Sequence, residues 1–427
     1  RLWNITRRRC GLFSVQSKLL AILFDYGPIF VHNAVMKARY LTPHILSDIN
    51  DKMVFIGGAR QVGKTWLARF IGENNFPAHQ YLNWDYAPDR QDILQYRFQG
   101  DAKILLFDEI HKYKDWKNYL KGLFDKERES YRMLVTGSAR LDVYRRGGDS
   151  LMGRYYYYRL HPFSVAEFLE SENPLIPGKE IALAGPGATI SAVHDLLWRF
   201  GGFPEPLMKQ NGRFLRRWRT QRQERLVRED IRDLASIRDL SSLQILLDML
   251  PGRLGSLLSL NAVREDLAVD HKTAAHWLEI LESFYYAFRI YPFSHNKIKS
   301  LRKQPKLYLL DWTEIQHDDG VKLENMVAFH LLKLCHYLSD TQGYRMELNF
   351  LRDVDGREVD FLVTADEQPW FAVEVKSSSR EISRHLNYFG TRLPIPYLYQ
   401  LTAEKDVDVK KGGVRLVSAD RFLASLV

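Results

Sequence analysis

Apolar positions follow two alternating periods along much of the chain. Met53-Val-Phe-Ile56 is a short, fully apolar run that ends at glycines, after which Leu67, Phe70 and Ile71 recur at helical spacing. Ile104-Leu-Leu-Phe107 repeats the run, and Trp116, Leu120 and Phe124 share the helix face that follows; a third run lies in YRMLVTGSARL. Short apolar strands alternating with amphipathic helices predict a parallel sheet covered on both faces. Farther on, Ala262, Val263 and Leu267, then Ala274, Trp277, Leu278 and Leu281, predict two helices across a tight turn and a strand after them. Leu323, Val327, Leu331 and Leu334 stripe a later helix that carries Glu324 at its margin. Near the end, REVDFLV and WFAVEVKSS read as strands. In the second, Val373 and Val375 point one way while Glu374 and Lys376 share the other face.

Size and charge narrow the picture. The chain has 427 residues, enough for several domains, and its 45% hydrophobic and 26% charged content is that of a globular protein. Lys and Arg outnumber Asp and Glu by 61 to 52, a net charge of +9 that permits binding to nucleic acid or an anionic surface. Cys10 and Cys335 supply neither a disulfide framework nor metal-ligand spacing, which fits a reducing cytoplasm. LLAILF is far shorter than the roughly 20 apolar residues of a membrane span, and no clean cleavage site follows RRRC, so neither a membrane partner nor export is expected. MKARYL, from Met36, reads as a natural beginning, and residues 1–35 as an extension. The Pro/Gly-rich SENPLIPGKEIALAGPGAT reads as a soft linker.

Chemistry enters at Gly58-Ala59-Arg60-Gln61-Val62-Gly63-Lys64-Thr65, the GxxxxGK[ST] phosphate loop between an apolar strand and an amphipathic helix, with Trp66 next in line. Glycines let successive N–H groups curl around phosphate oxygens. Lys64 reaches the β and γ phosphates of ATP, and Thr65 offers a hydroxyl to Mg²⁺. The second run ends in Asp108-Glu109, where Asp108 holds Mg²⁺ and Glu109 polarises the attacking water. Thr136 and Ser138 end the third run, at the position of a hydroxyl that senses the γ-phosphate; ordinary turn chemistry explains TGS as well.

These motifs, together with YLNWDYAPDR, TGSARL, SLMGRYYYYRLHPFSVAEF and FGGFPEPL, resemble the AAA-type P-loop ATPases, in the branch that includes archaeal-type ATPases with a winged helix and a C-terminal nuclease-like domain. The resemblance implies ATP hydrolysis. It also makes Arg154 a candidate for stabilising the γ-phosphate, if need be across a subunit boundary of a homo-oligomer, with Arg140 as a rival; pairing of Arg154 with a nearby acid is the alternative. The fold class expected is α/β: a P-loop parallel sheet with a helical lid, a winged-helix-like region and a restriction-endonuclease-like α/β domain. The boundaries expected are an extension over 1–35, an ATPase domain with lid over 36–235, a winged-helix-like region over 236–300 and a nuclease-like domain over 301–427.

Two segments bear on DNA. The helix GRFLRRWRTQRQERLVRED is strongly basic, with Arg213, Arg216, Arg217, Arg219, Arg222, Arg225 and Arg228, and reads either as a phosphate-tracking surface or as a solvated, salt-bridged face. The helix-turn-helix spacing puts His271, Lys272, Thr273 and His276 on the exposed face of its second helix, and the basic stretch from Lys297 to Lys306 suits a wing. Such units also serve as plain packing modules.

The C-terminal charges resemble the PD-(D/E)xK core of restriction-endonuclease-like nucleases, with Asp360, Glu374 and Lys376 in order and Glu324 on the preceding helix; Val359 departs from the family's proline. That resemblance implies a Mg²⁺ or Mn²⁺ site formed by Asp360, Glu374, Glu324 and the Val375 carbonyl, with Lys376 activating water against a phosphodiester. A buried Glu–Lys pair is the alternative, and with it an inert domain that binds DNA or a protein partner under nucleotide control.

Overall fold

The computed structural model describes residues 38–137, 151–171, 173–232, 239–294, 300–301, 303–379 and 381–427. Residues 1–35, Ser138 and Arg140 lie outside the described residues, as do residues 297–299 and 302 of the stretch expected as a wing.

The first sheet contains β1 (Met53–Gly58), β2 (His79–Asn83), β3 (Ile104–Asp108), β4 (Arg132–Thr136) and β5 (Tyr155–Leu160) in the order β2-β3-β4-β1-β5. Every pairing in it is parallel. The inner strands β1, β3 and β4 are largely apolar because both faces are covered. Val54, Ile56, Leu106 and Leu134 pack with Leu67 and Ile71 of α2 (Lys64–Asn75), which follows the short α1 (Thr42–Asp48). Phe55, Leu105, Phe107 and Val135 pack on the other side with Trp116, Leu120 and Phe124 of α4 (Trp116–Glu127); α3 (Ala87–Leu94) lies between β2 and β3 in the chain. Parallel alignment brings the carboxyl ends of β1, β3 and β4 to one edge, where ligands of such sheets bind.

Beyond β5 come α5 (Val165–Phe168), α6 (Ala188–Phe200), α7 (Pro204–Lys209) and the basic α8 (Gly212–Arg225), which runs on into a wider π-helical turn over Leu226–Ile231. After α9 (Leu240–Met249), helices α10 (Leu260–Leu267) and α11 (His271–Ser283) form the expected helix-turn-helix. Ala268 takes a left-handed conformation at its turn, and Asp270 caps α11 by accepting from the N–H groups of Lys272 and Thr273. Val263, Leu267, Ala274, Trp277, Leu278 and Leu281 are buried.

The strands that follow are not a separate wing. β6 (Ala287–Pro292) and β7 (Lys306–Leu309) pair antiparallel, and β6 also pairs with β8 (Met346–Arg352), so both belong to the C-terminal sheet. With β9 (Glu358–Ala365), β10 (Gln368–Lys376), β11 (Tyr397–Thr402), β12 (Asp408–Lys411) and β13 (Val414–Ser418), that sheet has the order β12-β13-β11-β10-β9-β8-β6-β7. The boundary expected at residue 300 therefore falls inside a continuous sheet. Among the described residues three helices serve this half: α12 (Asp319–Gln342), α13 (Arg384–Arg392) and α14 (Ala419–Ala424). α12 is buried along most of its length because it packs on β5 of the first sheet and on β7 and β8 of the second.

The Pro/Gly-rich segment before α6 is tied down as well. Its Ile181 is buried, the Ala184 N–H donates to Ser425 Oγ at 2.8 Å, and the Lys179 carbonyl accepts from Trp370 Nε1 at 2.7 Å. It straps the C-terminal half rather than hanging as a free linker.

Candidate functional site

The phosphate loop leaves β1 at its carboxyl end. Gly58 has φ +138°, and a Cβ there would come within 2.3 Å of the Leu160 carbonyl oxygen on β5; Gly63 has φ +100° and directly precedes the first turn of α2. Glycine is required at both points, by space at the first and by backbone conformation at both. Ala59 and Val62 are buried beneath the loop, whereas Arg60, Gln61, Gly63, Lys64, Thr65 and Trp66 line a cleft of 1080 Å³. The start of α2 directs its free N–H groups and the positive end of its dipole into this cradle.

Below the loop three expected residues meet. Asp108 Oδ2 accepts from Thr65 Oγ1 at 2.8 Å, and Asp108 Oδ1 accepts from Thr136 Oγ1 at 2.5 Å. Lys64 donates to the carbonyls of Gly58 at 3.0 Å and Ala59 at 2.8 Å, and burial lowers its pKa to about 8. Glu109 enters the cleft from a left-handed backbone at φ 58° and pairs with Lys112 at 3.2 Å; burial raises its pKa. Adjacent hydroxyl and carboxylate oxygens suit Mg²⁺, and the glycine cradle suits phosphate, so this site fits both.

Sequence reasoning did not find the supports of the loop. Buried Arg39 donates to the Val62 carbonyl at 3.0 Å and to Glu167 Oε1 at 2.5 Å, and Lys333 of α12 holds Glu167 Oε2 at 2.5 Å. Tyr81 donates to Asp108 Oδ2 at 2.7 Å. Tyr81 and Glu167 lie within YLNWDYAPDR and SLMGRYYYYRLHPFSVAEF, but these stretches give no role to either, since the partners of all four residues are distant in the chain. At the rim, Arg60 pairs with Glu229 and Asp230 beyond α8, each at 2.9 Å. Arg154 stands at the amino end of β5, the edge opposite the phosphate loop, and pairs with Asp125 of α4 at 2.7 Å. It does not reach the loop of its own chain.

The second cluster lies on β7, α12, β9 and β10. Glu324, Asp360, Glu374 and Lys376 do come together, and Lys376 Nζ lies 2.7 Å from Glu374 Oε1. Burial, and then the nearby Asp360, raises the pKa of Glu374 to about 7; the same two causes raise that of Glu324. An unexpected member lies among them. Lys306, assigned from sequence to the basic wing, is buried and reaches Glu358 Oε1 at 2.7 Å, Glu324 Oε1 at 3.2 Å and Asp360 Oδ1 at 3.4 Å. A signal was present in PKLYLL, where a lysine interrupts apolar strand text just as Lys376 does. Tyr308, on the same face of β7, also donates to Glu324 Oε1 at 2.7 Å. Among the described residues no three His, Cys, Asp or Glu side chains converge to hold a metal ion. The Lys306 ammonium takes oxygens of Glu324 and Asp360 that the expected Mg²⁺ or Mn²⁺ ligand set would use.

On the helix-turn-helix, His271, Lys272 and His276 are exposed, while the Thr273 hydroxyl is engaged with Asp270 Oδ2 at 2.6 Å. Along α8 and the π-helical turn after it, Arg213, Arg216, Arg217, Arg225 and Arg228 are exposed. Arg222 is buried, with Nη1 3.2 Å from Glu314 Oε1. No helix among the described residues is long and apolar enough to cross a membrane.

Residues 50–169 match the family described as AAA domain. Residues 193–313 and 319–422 match two families, each described as a domain of unknown function, DUF8612 and DUF4143. An uncharacterized protein of Haemophilus influenzae is 23% identical over 372 residues, spanning 78% of this chain and 85% of that protein. Another, of Mycobacterium tuberculosis, is 24% identical over 350 residues, spanning 78% of this chain and 72% of that one. Among solved structures, the Thermotoga maritima RuvB Holliday junction branch migration motor aligns with 62% of this chain and 93% of that chain, at 16% identity and a TM-score of 0.29.

Proposed function

We propose that the AAA-type P-loop domain makes this protein a Mg²⁺-dependent ATPase, located in the cytoplasm, that acts on DNA as a nucleotide-controlled switch. The observation that carries the reading is the meeting of Thr65, Asp108 and Thr136 directly beneath a glycine cradle that ends in Lys64. On binding ATP, Lys64 exchanges the carbonyls of Gly58 and Ala59 for phosphate oxygens. Thr65 and Asp108 would hold Mg²⁺, which would supply positive charge to offset that of the phosphates. Glu109 orients and deprotonates the attacking water, and the Thr136 hydroxyl stands where the γ-phosphate can be sensed. Arg154, remote from its own loop, acts in this scheme on the site of a second copy, which makes the working form a homo-oligomer. DNA is met by the exposed His271, Lys272 and His276, with the arginines of α8 as a supplementary surface.

Steady-state ATPase assays test the core of this reading. Lys64→Ala should abolish turnover, and Glu109→Gln should keep ATP binding while lowering kcat by at least about 100-fold; undiminished activity in Lys64→Ala would falsify the proposal. DNA should stimulate the wild-type rate, and an unchanged rate over a range of single- and double-stranded DNA would remove DNA as the partner.

The C-terminal domain, in the reading favoured by Lys306, binds DNA or a partner without cutting. The competing reading, cleavage with Mg²⁺ or Mn²⁺, draws on Asp360, Glu374 and Lys376 standing on adjoining strands, and it requires Lys306 to leave the acids. Plasmid nicking by the wild type that disappears in Glu374→Ala would establish it.

A further inference from the structure

We infer that Lys306 is a built-in substitute for a divalent cation, so that the carboxylate cluster of the C-terminal sheet is assembled and charge-compensated with no metal bound. The inference deepens the non-cutting reading of that domain and rests on it.

Glu358 gives Oε1 to Lys306 and Oε2 to Arg352, at 2.7 Å each. Asp360 gives Oδ1 to Lys306 and Oδ2 to the Val375 N–H, the latter at 2.9 Å. Oε1 of Glu324 takes both Lys306 and the Tyr308 hydroxyl. Oε1 of Glu374 takes Lys376 at 2.7 Å and Ser383 Oγ at 3.3 Å, which leaves its buried Oε2 as an acceptor with no protein partner. Mg²⁺ wants about six oxygens, and Mn²⁺ is bound by the same kind of ligand. The protein's own donors hold most of those on offer.

Lys306 is also fixed where it stands. It lies on β7 opposite Ile290 of β6, with a further backbone bridge to Leu257, and its side chain is 2% exposed. Its ammonium lies 5.9 Å from the centroid of the Phe350 ring, which closes one side of its path. The surrounding acids keep it cationic, raising its pKa although burial works in the opposite direction. A point charge of this kind meets several carboxylates at once, as a metal ion does, but supplies no coordination position for water or phosphate.

Titration of the full-length chain with Mn²⁺ alone, without nucleotide, tests this, with free Mn²⁺ followed by electron paramagnetic resonance. Wild type and Glu374→Ala should bind equal amounts. Lys306→Met should gain one Mn²⁺ per chain, and adding Glu374→Ala to it should remove that ion. One Mn²⁺ bound by the wild type and lost in Glu374→Ala overturns the inference, and so does a folded Lys306→Met that gains none. Should Lys306→Met fail to fold, the comparison of wild type with Glu374→Ala still decides. Plasmid cleavage separates the two levels: Mn²⁺ binding without cleavage overturns the role of Lys306 alone, whereas Glu374-dependent cleavage overturns the non-cutting reading itself.

Discussion

Glu167 illustrates how much of the nucleotide site depends on a single buried charge. Its carboxylate lies between Arg39, which holds the Val62 carbonyl of the phosphate loop, and Lys333, with the Tyr40 N–H as a further donor at 3.3 Å. Desolvation alone would raise its pKa; the two cations beside it lower it, so it stays ionised. Removing one member of such a set strands the others in a low-dielectric interior. Glu167→Ala should therefore cost about 3–5 kcal/mol, read as a lower urea midpoint, and weaken ATP binding because the loop loses its support. Lys64, Thr65 and Asp108 were legible in the sequence because a motif fixes their spacing and their chemistry together. Arg39 and Glu167 were not, for they are 128 positions apart and meet only through the fold.

Among elements, the strap before α6 and the hairpin β6–β7 depart furthest from their sequence reading. Proline and glycine in 173–187 signal a lack of regular structure, which the strap indeed lacks, but they say nothing about burial. Ile181 is 3% exposed, and the Tyr399 hydroxyl accepts from its N–H at 3.3 Å. Ile181→Ala should destabilise the protein by about 2–5 kcal/mol in chemical denaturation, the range for truncating a buried isoleucine; a free linker would give no measurable change. The hairpin follows the same logic. A strand after a helix-turn-helix reads as a wing, yet β6 and β7 join the C-terminal sheet because Tyr291 and Pro292 register with Asn349 and Phe350. Strand pairing across such a distance leaves no local trace in the chain. It nevertheless decides that Lys306 faces carboxylates rather than DNA.

At the scale of the whole molecule, α12 joins the two sheets. Lys333 and Asp340 dock on the P-loop half, Asp340 through Arg159 at 2.6 Å, while Glu324 at the other end of the helix belongs to the acid cluster. A second buried centre joins α8 to the chain between β7 and α12. There Glu314 accepts from Tyr286, Gln223 and Arg222, and burial pushes its pKa up to about 7 from an ordinary 4.5. Because the folded-state value is raised, the contribution of this group is full below its unfolded pKa and is lost as pH rises through about 7. Relative to Glu314→Gln, the wild type should lose up to roughly 3 kcal/mol of stability between pH 4.5 and pH 7.5, as measured by thermal or urea unfolding at each pH. The amino-acid sequence by itself determined the phosphate loop, the acids at the end of β3, the covered parallel sheet and the helix-turn-helix, because spacing and apolar period act over a few residues. Only the tertiary structure decided that Arg154 stands apart from its own loop, that the strap is buried and that an ammonium fills the carboxylate cluster. Those outcomes depend on which distant strands pair, and on where a charge that has left water must find its partners.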